Sequence, residues 1–245
     1  MFMKVSFALA AVLALAACGD KAGNGQQAAP VAAQAAPAGQ DWTQTVSKTD
    51  EGFVMGNPNA PIKLIEYGSR LCPTCGAFAR EAFEPLTENY VKTGKVSFEF
   101  REFLVHGAMD MPPALIGTCV GAEPFFPLLE EMFANQNSFI DAAQKAPPAV
   151  QQAIEAAPPA EKFRLLADAM GVTDFVKQRG VSADKAQSCL TDAAAIDRLA
   201  KITQDRGPGG DNTVTGTPTF LINGKVAQGA IGWADVEKAL KSAGA

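Results

Sequence analysis

The chain has no lysine- or arginine-dense run and carries a formal net charge of −5, so it lacks the electrostatic footprint of a nucleic-acid partner. Its N-terminal apolar run, over residues 5–17, is too short to span a bilayer, which takes about 20 residues. Histidine is nearly absent: His106 stands alone, and no second close-spaced cysteine pair accompanies Cys72 and Cys75. That leaves a four-ligand zinc site without ligands, and no metal is expected. No internal repeat is visible. What the chain does have is globular bulk, with 47% hydrophobic and 19% charged residues, enough to bury a real core.

Residues 1–17 hold one charge, Lys4, and then the apolar run, the pattern of a secretory signal. The run closes on Leu15-Ala16-Ala17-Cys18-Gly19, which resembles the lipobox of bacterial lipoproteins. That resemblance implies cleavage before Cys18 and lipidation of its sulfur, with a membrane anchor as the result. The alternative is an ordinary signal with a chance cysteine. Residues 18–40 are dominated by alanine, glutamine, glycine and proline and contain no aromatic residue, so they read as a flexible tether. Export places the remaining four cysteines in an oxidising environment, where two pairs are open to them: Cys72 with Cys75, and Cys119 with Cys189. The second pair would close a long loop, worth about 3 to 4 kcal/mol. Two free buried thiols are the alternative.

Residues 53–61, rich in glycine, proline and asparagine, lead into an apolar run of strand length at 62–67. Beyond the dithiol, Phe78, Phe83, Leu86 and Tyr90 recur with helical spacing up to Thr93-Gly94, and residues 95–101 alternate as a strand. Strand, helix and strand make a parallel crossover. Residues 106–206 carry helix signals at 124–134, 159–170, 182–190 and 192–205, separated by prolines at 112–113, 147–148 and 158–159. Met109, Met111, Phe125, Phe126 and Phe133 are expected in the core of that segment. A strand at 218–222, an Asn223-Gly224 turn, a partner strand at 225–228 and a helix at 233–242 close the chain.

Cys72-Pro73-Thr74-Cys75 sits where the first helix begins. Two-residue spacing suits a small disulfide ring and equally half a zinc site. The attacking species in thiol exchange is a thiolate, and the unpaired amides and dipole of a helix N-terminus favour the anion on Cys72. Pro73 suits the first helical turn, where its missing N–H would be unpaired anyway. Glu66, six residues earlier, lies in an apolar strand where a carboxylate is costly without a role or partner. A strand-end glutamate reaching solvent past Tyr67 is the other reading.

The element order, together with Leu64-Ile65-Glu66-Tyr67 through Cys75, residues 95–103, and Thr217-Pro218-Thr219-Phe220 through Gly224, resembles the DsbA-like thiol:disulfide interchange proteins. The resemblance implies an α/β chain: a thioredoxin-like fold with an inserted all-helical domain, divided as 41–105, an insertion at 106–206, and 207–245. It implies that Cys72 forms the mixed disulfide with substrate, that Cys75 resolves it, and that Glu66 beneath them moves protons. It makes Pro218 a cis-proline facing the dithiol and gives Thr217 the pairing with substrate backbone, with Pro73 and Thr74 at the same surface. The cofactor is then none beyond the Cys72/Cys75 disulfide. Expected partners are exported proteins with cysteines and a membrane redox protein that recycles the dithiol, and the chain is expected to be a monomer on the periplasmic side of the cell envelope. Strongly oxidising members carry Pro-His between the cysteines, so Pro73-Thr74 points to a milder oxidant. A disulfide reductase or isomerase, and a non-catalytic chaperone or metal-holding module, are the competing functions.

Overall fold

A computed structural model describes residues 28–245. The signal expected over 1–17 and the lipidation expected at Cys18 lie outside the described residues.

Apolar and alternating runs assemble one mixed sheet from β1 (Val46–Lys48), β2 (Gly52–Met55), β3 (Ile62–Gly68), β4 (Val96–Glu102), β5 (Thr219–Ile222) and β6 (Lys225–Val226), in the order β1-β2-β4-β3-β5-β6. Only β3 and β4 are parallel, with Ile62 opposite Val96 and Gly68 opposite Glu102. A parallel pair needs a crossover. It is supplied by α1 (Pro73–Leu86) and a π-turn at Thr87–Val91, where Lys92 N–H reaches back to the Thr87 carbonyl at 2.8 Å. Asn223 and Gly224, both at positive φ, make the tight β5–β6 turn. The β1–β2 hairpin was not expected, because the glycine, proline and asparagine of 53–61 read as a loop. Phe53 and Met55 nonetheless bury their side chains in the sheet, and β2 pairs with β4.

The insertion holds α2 (Met111–Cys119), α3 (Phe125–Gln144), α4 (Pro148–Ala156), α5 (Pro159–Ala169), α6 (Val172–Lys177), α7 (Ala183–Leu190) and α8 (Ala193–Arg206). Each proline pair lies at the start of a helix, in α2, α4 and α5, where the missing N–H costs nothing. A disulfide joins Cys119 at the end of α2 to Cys189 in α7, with Cα atoms 5.7 Å apart. The closing helix is α9 (Trp233–Ser242).

The structure corrects two expectations. Phe125, Phe126 and Phe133 belong to the core under the sheet rather than to that of the insertion: Phe125 stacks on Phe53 with ring centroids 4.1 Å apart, and Phe133 meets Phe100 edge-on. Leu128, Met132 and Phe139 of the same helix fill the insertion's core. Being 20 residues long and apolar on two faces, α3 couples the two cores. Nor is the tether expected over 18–40 free throughout. From residue 28 it runs along the body, with Ala28 N–H on the Ser242 carbonyl, Val31 N–H on Gly244 and Gln34 N–H on Thr93. Val31 tucks against the core and the Trp42 indole donates to the Gln34 carbonyl at 2.7 Å, contacts that composition alone could not forecast.

Candidate active site

β3 ends at Gly68 in the middle of the sheet, and the loop Ser69-Arg70-Leu71 delivers Cys72 to the N-cap position of α1. Cys72 has extended backbone and Pro73 enters the first turn, while the Gly76 N–H closes that turn on the Cys72 carbonyl at 3.1 Å. Both cysteines are free thiols; Cys72 is 6% exposed and Cys75 is fully buried, with Pro73 and Thr74 exposed between them. β5 pairs antiparallel with β3, which carries the loop before it across the dithiol. The Thr217–Pro218 peptide in that loop is cis, and the Cys72 thiol donates to the Thr217 carbonyl at 3.3 Å. Residues 145 positions apart thus meet.

The two sulfurs are driven in opposite directions. A hydrogen bond from the Cys75 thiol is the largest influence on Cys72, bringing it from an ordinary 9.0 down to about 5 against the opposing effect of burial. The Thr217 side chain and the amides of Cys75 and Thr74 add to the lowering. The contact with the Thr217 carbonyl favours the thiol instead, but one acceptor is outweighed by several donors. Burial pushes Cys75 up, and its bond to Cys72 and the nearby Glu66 carboxylate push the same way. At neutral pH the pair is a thiolate at the surface and a thiol beneath it.

Glu66 is 2% exposed, which excludes the solvent-reaching alternative. Its Oε1 is buried with no hydrogen-bond partner among the described residues. Burial raises its pKa well above 4.5, and the charges of Cys72 and Glu102 raise it further. Burial and both neighbouring charges thus oppose the anion at this carboxyl.

A second set of residues escaped the sequence reading. Arg70, 1% exposed, bonds Glu102 Oε1 at 2.7 Å through Nε and Met132 Sδ at 3.2 Å through Nη1, and lies 5.2 Å from the Phe125 ring centre. Burial raises the pKa of Glu102 and the Arg70 cation opposes that rise. Ser69 donates to the buried Asp110 at 2.7 Å and accepts from the Leu71 amide, while His106 caps Asp110 from the surface, with Nδ1 3.1 Å from Oδ1. Gln136 of α3 donates through Nε2 to the Arg70 carbonyl at 3.3 Å and the Cys72 carbonyl at 3.0 Å. The loop that presents Cys72 is thereby pinned to α3 through Met132 and Gln136, to Asp110 at the start of the insertion, and to Glu102 of β4. Two helix glycines mark these contacts. A Cβ on Gly76 would stand 2.1 Å from Gln136 Oε1, and one on Gly117 would stand 2.2 Å from the Arg70 guanidinium carbon. Glycine inside a helix costs about 1 kcal/mol relative to alanine, so such residues are a readable signal of close approach. Among the described residues no cluster of three or more His, Cys, Asp or Glu is placed to hold a metal ion.

The profile of the family described as Thioredoxin matches residues 48–242. A crystal structure of a protein-disulfide isomerase from Novosphingobium aromaticivorans is similar at 30% identity and a TM-score of 0.70, over 76% of this chain and 94% of that one. BdbD from Bacillus subtilis, in its oxidised form, shares the fold at 18% identity and a TM-score of 0.54, covering 83% of this chain and 97% of its own. A Rickettsia bellii protein provisionally named protein-disulfide oxidoreductase is 26% identical over 180 residues, which are 72% of this chain and 59% of that protein. The chain thus spans little more than half the length of the curated Rickettsia relatives it matches.

Proposed function

The chain belongs to the Thioredoxin family, matched over 48–242, and from that membership we propose that it is a thiol:disulfide oxidoreductase acting through Cys72 and Cys75. The observation that carries the proposal is the opposed ionisation of two cysteines at a helix N-terminus, under a cis Thr217–Pro218 peptide. In the oxidising direction a substrate thiolate attacks Cys72 Sγ of the Cys72–Cys75 disulfide. The substrate–Cys72 bond forms, and Cys75 leaves as a thiolate and takes up one proton. A second substrate thiolate then attacks the substrate sulfur, its disulfide forms, and Cys72 departs as a thiolate that needs no proton at neutral pH. Two electrons pass to the dithiol, for a recycling partner to remove. A low leaving-group pKa at Cys72 speeds the last step and stabilises the reduced form, which favours the oxidant role.

Thr217 offers its backbone to an incoming chain, and Pro73 and Thr74, both exposed, complete the surface facing a cysteine-bearing substrate. Glu66 exchanges the proton that Cys75 gains or loses. The Cys119–Cys189 bridge and the N-terminal targeting pattern support a place on the periplasmic side of the cell envelope, with Cys18 as a lipid anchor. The similarity to a protein named an isomerase supports a second reading, in which the reduced dithiol attacks substrate disulfides at the same site.

Oxidation of a reduced two-cysteine peptide tests the assignment. Wild type carrying the Cys72–Cys75 disulfide should form the peptide disulfide, Cys72→Ser should not, and Cys75→Ser, given the peptide in its disulfide form, should accumulate a Cys72 mixed disulfide. An inactive wild type would leave a non-catalytic module.

A further inference from the structure

When a substrate thiolate attacks the Cys72–Cys75 disulfide, the electron pair leaves on Cys75, which is fully buried. A charge formed there depends on donors already in place. Burial, the bond to Cys72 and the charges of Glu66 and Cys72 all oppose a thiolate at Cys75, whereas the hydrogen bond from the Ser69 backbone N–H favours one. Ser69 therefore supplies a donor to the leaving sulfur.

The other polar atoms of Ser69, itself 1% exposed, are tied as well. Its carbonyl accepts the Cys72 N–H at 3.1 Å, its Oγ accepts the Leu71 N–H at 3.1 Å, and its hydroxyl donates to Asp110 Oδ1 at 2.7 Å. The first two bonds close the turn on itself. The third reaches out of the redox loop to the insertion and fixes how that turn is held.

Asp110 stands at the N-cap position of α2, where an aspartate ordinarily accepts from the N–H of the second or third helical residue. In α2 those residues are Pro112 and Pro113, which have no N–H to give. Asp110 makes no cap bond, and its oxygens turn instead to the Ser69 hydroxyl and to the His106 N–H, the latter at 2.6 Å onto Oδ2. A buried carboxylate thus serves the redox loop rather than its own helix.

We propose that Asp110 is a positioning residue for disulfide exchange, holding Ser69 by its hydroxyl so that the Ser69 N–H faces the charge left on Cys75. The proposal rests on the Cys72/Cys75 exchange function and gives the insertion a part in it. The step balances. The bond from the attacking thiolate to Cys72 forms, the Cys72–Cys75 bond breaks, its electron pair stays on Cys75 against the Ser69 N–H, and one proton then neutralises it.

Oxidised protein treated with excess dithiothreitol, acid-quenched and resolved by mass, gives the rate at which Cys75 is expelled. Ser69→Ala keeps the backbone N–H but frees it from Asp110, and Asp110→Ala removes the other end of the same bond. Each should slow reduction by on the order of 10-fold. The double variant should be no slower than either, since all three break one link. Reduced Cys72 should react with iodoacetamide within about 2-fold of wild type in every variant, because its own donors lie elsewhere, at Cys75, Thr217 and Thr74. In isotope-labelled reduced protein the Ser69 amide proton should move upfield in Asp110→Ala as its bond to the sulfur lengthens. Denaturation midpoints show whether each variant is folded, and Ser69→Ala, which removes a single hydroxyl, decides the matter if Asp110→Ala does not fold. Reduction of Ser69→Ala at the wild-type rate, or reduction and alkylation slowed alike, would overturn the positioning role, while peptide oxidation by the wild type would leave the exchange function standing. A wild type that oxidises no peptide, yet whose disulfide still opens more slowly in Ser69→Ala, would sink the exchange function and keep the positioning role.

Discussion

Gln136→Met isolates the contact that pins the redox loop to the insertion. Methionine keeps nearly the volume of glutamine and removes both donated hydrogen bonds, to the carbonyls of Arg70 at 3.3 Å and Cys72 at 3.0 Å. The Cys72 carbonyl keeps the Gly76 N–H, so its loss is that of an ordinary bond, about 0.5–1.5 kcal/mol. The Arg70 carbonyl is buried beside the Glu102 pair, and leaving a buried acceptor unpaired costs about 1–3 kcal/mol. The expected loss is roughly 2–4 kcal/mol, read as a shift of the urea midpoint at unchanged slope on the reduced protein. The same variant should alkylate faster at Cys75, whose cover depends on the turn holding its place. A loss under about 0.5 kcal/mol, with Cys75 as protected as in wild type, would refute the idea that α3 holds the dithiol turn.

Glu102→Gln leaves the Arg70 cation buried without its anion and should cost about 3–5 kcal/mol in thermal or denaturant unfolding, far more than removal of the exposed Lys145–Asp141 pair. Replacing Cys119 and Cys189 by serine together frees a loop of 70 residues and should lower stability by about 4 kcal/mol while leaving peptide oxidation intact. For Glu66, a folded pKa raised above 4.5 means wild-type stability falls as pH rises from that value toward the raised one. Glu66→Gln does not titrate, so its stability advantage should open over that window, and equal pH profiles for the two proteins would contradict a buried carboxyl.

The parts legible in the sequence are those whose chemistry is local. A cysteine pair before a helical pattern, a proline heading a strand and an Asn-Gly turn each specify backbone within a few residues, and the structure places Cys72, Cys75, Thr217 and Pro218 together. Glu66 was legible as an anomaly, a carboxylate in an apolar strand. Gln136 and Glu102 were not, because their partners lie 64 and 32 residues away and a buried polar residue in a helix or strand looks like a surface one until the packing is known. Arg70 sat beside the dithiol unread for the same reason. The phenylalanines of α3 were assigned to the wrong core because periodicity identifies an apolar face without saying what covers it. Residues 28–40 were assigned a tether's freedom from composition, yet a few backbone hydrogen bonds and one valine suffice to dock them.

The central claim, that Cys72 and Cys75 form a working exchange couple of intermediate strength, is tested most directly by equilibrating the protein with glutathione redox buffers and measuring its reduction potential. A Cys72 thiolate near pKa 5 lies between the value of about 7 in thioredoxin and about 3.5 in the strong oxidant DsbA. The couple is therefore predicted between about −270 and −120 mV, the potentials of those two proteins. A potential below about −300 mV, where structural disulfides lie, would contradict the account.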